Sequence, residues 1–261
     1  MEKHQTADKE WGCHLTDIVI DRSADDGAGF NLSIPSLSLT SKRDADLNRM
    51  PIMGVSGAGK STLMNIMAAI EWPHSSRSRI EWTFADGNRF SWGQNGPNPS
   101  QLSELRSRYF GYAFQSSTLI PHLNIGQNLT YPLEIRGVKK SGAVEKMREV
   151  IEDISMGSIS NLVDRFPGEL SGGELQRIAL MQSMIYDPAV MFADEPTGSL
   201  DLKTRGTVMK VLTDWVDRDP KGRMLIWVTH HENDPQDNGC EYRLIVADGG
   251  CCRQRISEDA V

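Results

Sequence analysis

The chain has 261 residues, a formal net charge of −7 and 39% hydrophobic residues, which suits one large α/β domain with a core that needs no disulfide or metal. The acidic balance argues against nucleic acid as a partner, because phosphates call for a basic surface. No apolar run nears the roughly 18 residues that span a bilayer, and the start Met1-Glu2-Lys3-His4-Gln5-Thr6 lacks the apolar core of a signal peptide, so the chain is expected in the cytosol or on a membrane face reached from it.

Residues 13–22, with Ile18-Val19-Ile20, read as an edge strand. Asp25-Asp26-Gly27-Ala28-Gly29 is a turn, and Phe30 to Leu39, with Leu32, Ile34, Leu37 and Leu39, reads as a further strand. Residues 50–55 form a short apolar strand, although Pro51 lacks an N–H and suits only an edge or a strand start. From Ser61 the spacing of Leu63, Ile66, Met67 and Ile70 is helical. The stretch from about 75 to 100 is rich in Ser, Gly, Asn and Pro and reads as loops with short strands such as Ile80-Glu81-Trp82-Thr83-Phe84. Residues 121–164 turn amphipathic and helical, with Val144, Met147, Val150, Ile151 and Ile154. Apolar strands return at 189–193, 225–228 and 243–246 with helices between them, the alternation of a parallel sheet. Cys13, Cys240, Cys251 and Cys252 fit no common zinc spacing and read as ordinary thiols.

Three segments carry chemistry. Gly54-Val55-Ser56-Gly57-Ala58-Gly59-Lys60-Ser61-Thr62 follows an apolar strand and opens a helix, the context in which a glycine loop wraps backbone N–H groups around phosphate. Lys60 should reach the β- and γ-phosphates, Ser61 should place its hydroxyl on Mg²⁺, and Thr62 suits another phosphate oxygen. Val190-Met191-Phe192-Ala193 ends in Asp194 and Glu195, at the strand end where open α/β sheets bind ligands. Asp194 suits Mg²⁺ through water, and Glu195 suits a general base toward a water attacking the γ-phosphate. Ser171 is a good N-cap for the helix 174–186, whose Ile178, Met181 and Ile185 share a face. Gly172 and Gly173 bare the positive end of that helix, which makes a second anion site and suggests a γ-phosphate held by another subunit.

Leu170-Ser171-Gly172-Gly173-Glu174-Leu175-Gln176-Arg177 resembles the signature motif of ABC-family ATPases. The remaining motifs of that family stand in order: Walker A at 54–62, a Q-loop at Gln115, Walker B at 190–195, a D-loop at Ser199-Leu200-Asp201 and a switch histidine at His230. The resemblance covers about residues 15–250. It implies an α/β fold made of a P-loop NTPase core with a mainly parallel sheet, an antiparallel β subdomain and an α-helical subdomain carrying the signature, here about 116–182. One domain would span 13–255, with 1–12 and 256–261 as flexible tails. It implies ATP and Mg²⁺ as cofactors and a head-to-tail pair of copies, or a pair with a related ATPase subunit. In that pair Ser171, Gly172 and Gly173 of one chain would touch ATP held by the other chain's Gly54, Ser56, Gly57, Ala58, Gly59, Lys60, Ser61 and Thr62. Gln115 would sense the γ-phosphate and Mg²⁺, the metal lying among Ser61, Gln115 and Asp194. His230 would contact the γ-phosphate, and Asp201 would link the two sites.

Finer features, Gly111-Tyr112-Ala113-Phe114-Gln115, Leu119-Ile120-Pro121-His122-Leu123, Asn128-Leu129 and Gly198 within 194–201, are similar to the lipoprotein-releasing and macrolide-export group, to which the cell-division ATPase FtsE also belongs. This implies a separate integral membrane permease and a peripheral place on the cytoplasmic face of the inner membrane. The alternative is a non-transport scaffold or regulator of the FtsE type. The sequence departs from the family where an aromatic usually stacks on adenine: Ile20-Asp21-Arg22-Ser23-Ala24 holds none, leaving Phe30, Trp11 or Arg22 as substitutes and weak base discrimination as the expectation. A soluble ABC protein acting on ribosomes or DNA is disfavoured by the single ATPase half, the lack of heptads and the acidic balance.

Overall fold

The computed structural model describes residues 11–22, 30–40, 48–114, 119–153, 162–198, 200–219 and 222–256. Two sheets carry the fold. The first is antiparallel, with β2 (Phe30–Thr40), β1 (Gly12–Arg22), β4 (Arg79–Thr83) and β5 (Arg89–Trp92) in that order. The second runs β10 (Gly250–Arg255), β9 (Tyr242–Ala247), β3 (Arg49–Met53), β8 (Met224–Val228), β7 (Val190–Asp194) and β6 (Phe110–Ala113). Its strands are parallel except β10, which pairs antiparallel with β9 at one edge.

Alternate residues of the central strands feed two cores, the period of two that a strand imposes. Val190 and Phe192 of β7, with Met224, Ile226 and Val228 of β8, face the core shared with the antiparallel sheet and with α1 (Lys60–Met67). Met191, Ala193, Leu225 and Trp227 face the opposite side, where α6 (Leu202–Arg218) supplies Val208, Met209, Val211, Leu212, Trp215 and Val216. Covered on both sides, β8 is buried at all five positions, which explains its uninterrupted apolar run. A third core lies among α3 (Ile125–Ile135), α4 (Lys140–Asp153) and α5 (Gly172–Met184), with Ile125, Leu129, Met147, Ile178 and Met181 at its centre.

Several sequence expectations change. The first strand is not an edge: β1 pairs with β2 along its length and with β4 over Gly12–Thr16. Its inward residues shift phase, from Cys13 and Leu15 to Ile18 and Ile20, and β2 shifts with it, from Leu32 and Ile34 to Leu37 and Leu39. The shift falls at Asp17, whose φ is 49°, beside Pro35 on the facing strand, which has no N–H to offer the ladder. Pro51 lies in an interior strand. Asn48 and Ile52 accept from Leu225 and Thr229 of the β8 side, so Pro51 turns its nitrogen toward β9, whose pairing with β3 begins only at Ile52. The helix after the glycine loop ends at Met67; Ala69 then takes a φ of 54°, and Ile70 points to solvent. Trp11 and Gly12, read with the N-terminal tail, are buried, and Ile256, read with the other tail, donates to Glu241 O and packs against the α6 core. The expectations for 25–29, Gln115, Ser199 and Ile154 lie outside the described residues.

Candidate active site

The glycine loop leaves the end of β3 and enters α1, so it sits at the carboxyl edge of the parallel sheet. Gly54 has φ 148°, and a Cβ there would lie 2.1 Å from Val246 O; Gly59 has φ 97°, and a Cβ there would lie 2.6 Å from Phe30 Cε2. Gly54 therefore needs glycine twice over, for its backbone and for the backbone space beside Val246, while Gly59 needs it for its φ, the Phe30 ring edge being able to give. Gly57, at φ 78°, has open space and needs glycine for its backbone alone. Ser56 is exposed, and Ala58 packs on the core beneath the loop. Lys60 is buried, and its ammonium donates to Gly54 O at 3.0 Å and to Val55 O at 2.9 Å. Thr62 is buried beside it on α1.

From the neighbouring strand ends come the acids and the histidine. Ser61 Oγ donates to Asp194 Oδ1 at 2.9 Å. Burial pushes the Asp194 carboxyl up, the Ser61 hydroxyl opposes this, Glu195 adds to the rise and Lys60 counters it. Glu195 holds a φ of 44°, uncommon for a residue with a side chain, and its N–H donates to Val228 O at 3.2 Å. That turn carries the Glu195 carboxylate to 3.5 Å from His230 Nδ1. Thr229 anchors the histidine: its N–H donates to Ile52 O at 3.1 Å, and its hydroxyl donates to Asp234 Oδ2 at 2.5 Å and accepts from His231 N at 3.1 Å. The rings of His230 and His231 lie 4.3 Å apart. Burial holds the His231 imidazole below its ordinary pKa, and the Arg205 guanidinium lowers it further.

The donor set suits Mg²⁺. Among the described residues no group of three or more His, Cys, Asp or Glu could cage a metal. Instead one hydroxyl and one carboxylate oxygen, Ser61 and Asp194, stand 2.9 Å apart beside the glycine loop. Mg²⁺ characteristically takes one or two protein oxygens and completes its shell with phosphate and water.

The predicted second anion site stands apart, on the helical core. Ser171 caps α5: its hydroxyl accepts from Glu174 N at 3.4 Å, and its own N–H and hydroxyl donate to Glu174 Oε2 at 2.8 and 2.7 Å. Those bonds hold the Glu174 carboxyl below its usual range. Gly172 is exposed with no atom near its α-carbon, while Gly173 packs against Thr204 of α6. Asp201 is exposed and caps α6, accepting from Thr204 N at 3.1 Å.

Sequence reading missed a polar chain behind the site. Tyr112 OH donates to Asn65 Oδ1 at 2.6 Å, Asn65 Nδ2 donates to Glu71 Oε1 at 2.9 Å, and Glu71 pairs with Arg22. Burial first, then the Asp194 and Glu71 carboxylates, push the Tyr112 phenol well up, so it stays a donor. Nothing in the one-dimensional spacing of Arg22, Asn65, Glu71 and Tyr112 signals this chain. The structure also sorts the adenine substitutes. Trp11 is buried in the core, Arg22 is paired with Glu71, and Phe30 alone lies against the glycine loop, its ring on the α-carbon of Gly59.

A model of the ABC transporter family matches residues 41–198. The chain belongs to the ABC transporter family. It is an ATP-binding ATPase of that family. It is 36% identical over 181 residues to the lipoprotein-releasing system ATP-binding protein LolD of Myxococcus xanthus (strain DK1622), covering 69% of this chain and 75% of that one. It is 31% identical over 223 residues to the macrolide export ATP-binding/permease protein MacB of Syntrophobacter fumaroxidans (strain DSM 10017 / MPOB), covering 84% of this chain but 28% of that longer one. Its fold matches the dimeric structure of MJ0796, a bacterial ABC transporter cassette, with a TM-score of 0.72 at 23% identity over 94% of this chain and 99% of that one. The two sheets and the helical core are thus those of an ABC cassette. Among the described residues no helix is long and apolar enough to cross a membrane.

Proposed function

We propose that this ABC ATPase powers a separate integral membrane permease of the lipoprotein-releasing or macrolide-export type, from the cytoplasmic face of the membrane, by closing two copies head-to-tail around two ATP molecules. The observation that carries the reading is the convergence of Lys60, Ser61, Asp194, Glu195 and His230 on adjoining ends of one parallel sheet. In this reading the N–H groups of 54–62 and the α1 N-terminus cradle the phosphates. Lys60 exchanges its two loop carbonyls for phosphate oxygens. Mg²⁺ held by Ser61 and Asp194, with Gln115 as the third ligand, would neutralise charge on the β- and γ-phosphate oxygens.

Glu195 accepts the proton of the attacking water, and His230, 3.5 Å from it, orients that carboxylate and the γ-phosphate. Ser171, Gly172 and Gly173 of the second copy complete the pocket with the positive end of α5. Support for the pairing comes from the placement of this end on a separate core with Ser171 and Gly172 exposed, and from the dimeric state of the MJ0796 cassette. The names of the relatives support the transport role, since one is the ATP-binding protein of a lipoprotein-releasing system and another is named both ATP-binding and permease protein.

The test is ATP hydrolysis against protein concentration for the wild type and Glu195→Gln, with association followed on the same samples. The wild-type rate should rise faster than linearly with concentration. Glu195→Gln should lower the turnover number by roughly 10²- to 10⁴-fold, the contribution of a positioned base, while an ATP-bound dimer accumulates. Wild-type turnover retained by Glu195→Gln would reject Glu195 as the base, and linear kinetics without a dimer would reject the pairing.

A further inference from the structure

Gly173 in the first turn of α5 and Asp201 at the start of α6 meet at one side chain, Thr204. A Cβ at Gly173 would lie 2.6 Å from Thr204 Cγ2, with Thr204 Oγ1 at 3.7 Å. On its other arm, Thr204 Oγ1 donates to Asp201 Oδ2 at 2.6 Å, while Thr204 N donates to Asp201 Oδ1 at 3.1 Å. The N–H bond alone would satisfy the cap of α6. The hydroxyl bond therefore does something else: it fixes a torsion. Threonine is branched at Cβ, so one rotation about χ1 moves the hydroxyl and the methyl together. With the hydroxyl held on Asp201, the methyl is held on Gly173. If Asp201 moves, χ1 is released and the methyl leaves the α-carbon of Gly173.

We infer that Thr204 is a positioning residue that couples the Asp201 loop to the Ser171–Gly173 helix end within one chain, so that both present themselves to the second copy in a fixed relation. This inference rests on the head-to-tail ATP-sandwich reading. It also gives a reason for glycine at 173 beyond access to phosphate: the position lies in an ordinary helical turn, where alanine would favour the helix, but the Thr204 methyl occupies the space.

The experiment uses the full chain and three variants: Gly173→Ala, Gly173→Ala with Thr204→Ser, and Thr204→Val. Hydrolysis, ATP affinity of the monomer at low protein concentration and ATP-dependent dimerisation are measured for each. Gly173→Ala should lose on the order of tenfold to a hundredfold in turnover number, the scale of an ångström-level misplacement, with monomer ATP affinity unchanged. Adding Thr204→Ser removes the methyl and keeps the hydroxyl, and should raise turnover severalfold above Gly173→Ala alone, the part of the loss that the Thr204 clash causes, as coupled neighbours do in a double-mutant cycle. Thr204→Val keeps the shape and cuts the tether; it should lower turnover and dimerisation together while monomer affinity holds. A Thr204→Val protein that turns over and dimerises as wild type overturns the coupling. A wild type that hydrolyses ATP without dimerising overturns instead the reading beneath it. Should Gly173→Ala fail to fold, Thr204→Val decides alone.

Discussion

The phosphate region and the α5 end are built on different principles. Around the glycine loop the contacts span great sequence distance: Ser61 meets Asp194, Glu195 meets His230, and Thr229 holds Ile52 O. Each of these bonds exists only when the parallel strands are in register. At the α5 end, Ser171 and Glu174 bond to each other across one helical turn, and Gly172 faces open space. One region is finished by the sheet. The other is finished by a local cap and is carried on the body formed by α3, α4 and α5. On the proposed head-to-tail reading each copy must present a completed half, and two pieces of different origin meet that need.

The largest expected effect on stability comes from loosening the second body. Asn128 of α3 is fully buried and makes four side-chain bonds: Oδ1 accepts from Ile120 N at 2.7 Å, and Nδ2 donates to Ile120 O, Leu123 O and Asn124 O at 3.1, 2.9 and 3.1 Å. Its own carbonyl accepts from Gln182 of α5 at 2.8 Å. Asn128→Leu takes the side-chain partners from Ile120 N–H and Leu123 O, while Ile120 O and Asn124 O keep Leu123 N and Asn128 N; it should cost about 1–3 kcal/mol, a sizeable share of a typical stability of roughly 5–15 kcal/mol. Hydrogen exchange should report the loss in peptides of 119–135 and 172–184, while peptides of 49–67 and 190–198 stay protected and ATP still binds. Equal loss of protection in both sets would show that the two bodies are one cooperative unit.

A smaller effect separates capping from chemistry. Ser171→Ala removes the α5 cap and should cost about 1 kcal/mol of helix stability. If the α5 end also completes a partner's ATP site, turnover should fall well beyond what that loss explains, with monomer ATP affinity intact. Matching small changes in stability and turnover would reduce Ser171 to a cap.

Both regions were legible in the local sequence, but the sheet that joins them was not. The α5 end was readable because capping is local: a serine, two glycines and a glutamate three residues on suffice. The glycine loop and the acid pair were readable because a strand before and a helix after fix their context. The interior place of β1 and β3 was not, because a strand's neighbours are chosen by tertiary pairing that no local pattern records. Pro51 misled for a definite reason: proline is excluded only where a ladder bond is required, and β9 starts its pairing one residue later. Asn128, Tyr112 and Thr204 stayed hidden because a polar residue in a helix or strand reads as solvent-facing until its partners, from 3 to 54 residues away, are placed.

The smallest effect uses the cysteines as reporters on the sheet side. Cys13 lies in the core shared by the two sheets and Cys240 in the α6 core; both are buried. Burial raises the Cys13 thiol far above its ordinary value and pushes Cys240 up to about 12. Cys251 is pushed up to about 12 by burial, with its neighbour Cys252 adding to the rise, whereas Cys252 is exposed on β10. The thiolate is the reacting form, so at pH 8 a thiol of pKa about 12 offers roughly one reactive group in ten thousand. Alkylation of the native protein should therefore mark Cys252 first, Cys251 slowly, and Cys13 and Cys240 only through unfolding. Repeated on Asn128→Leu, the same order should hold, because no described cysteine lies in the helical body. Rapid labelling of Cys240 in that variant would mean that loss of the α3 pin reaches α6 and β8, and the distinction between a sheet-built half and a cap-built half would fall.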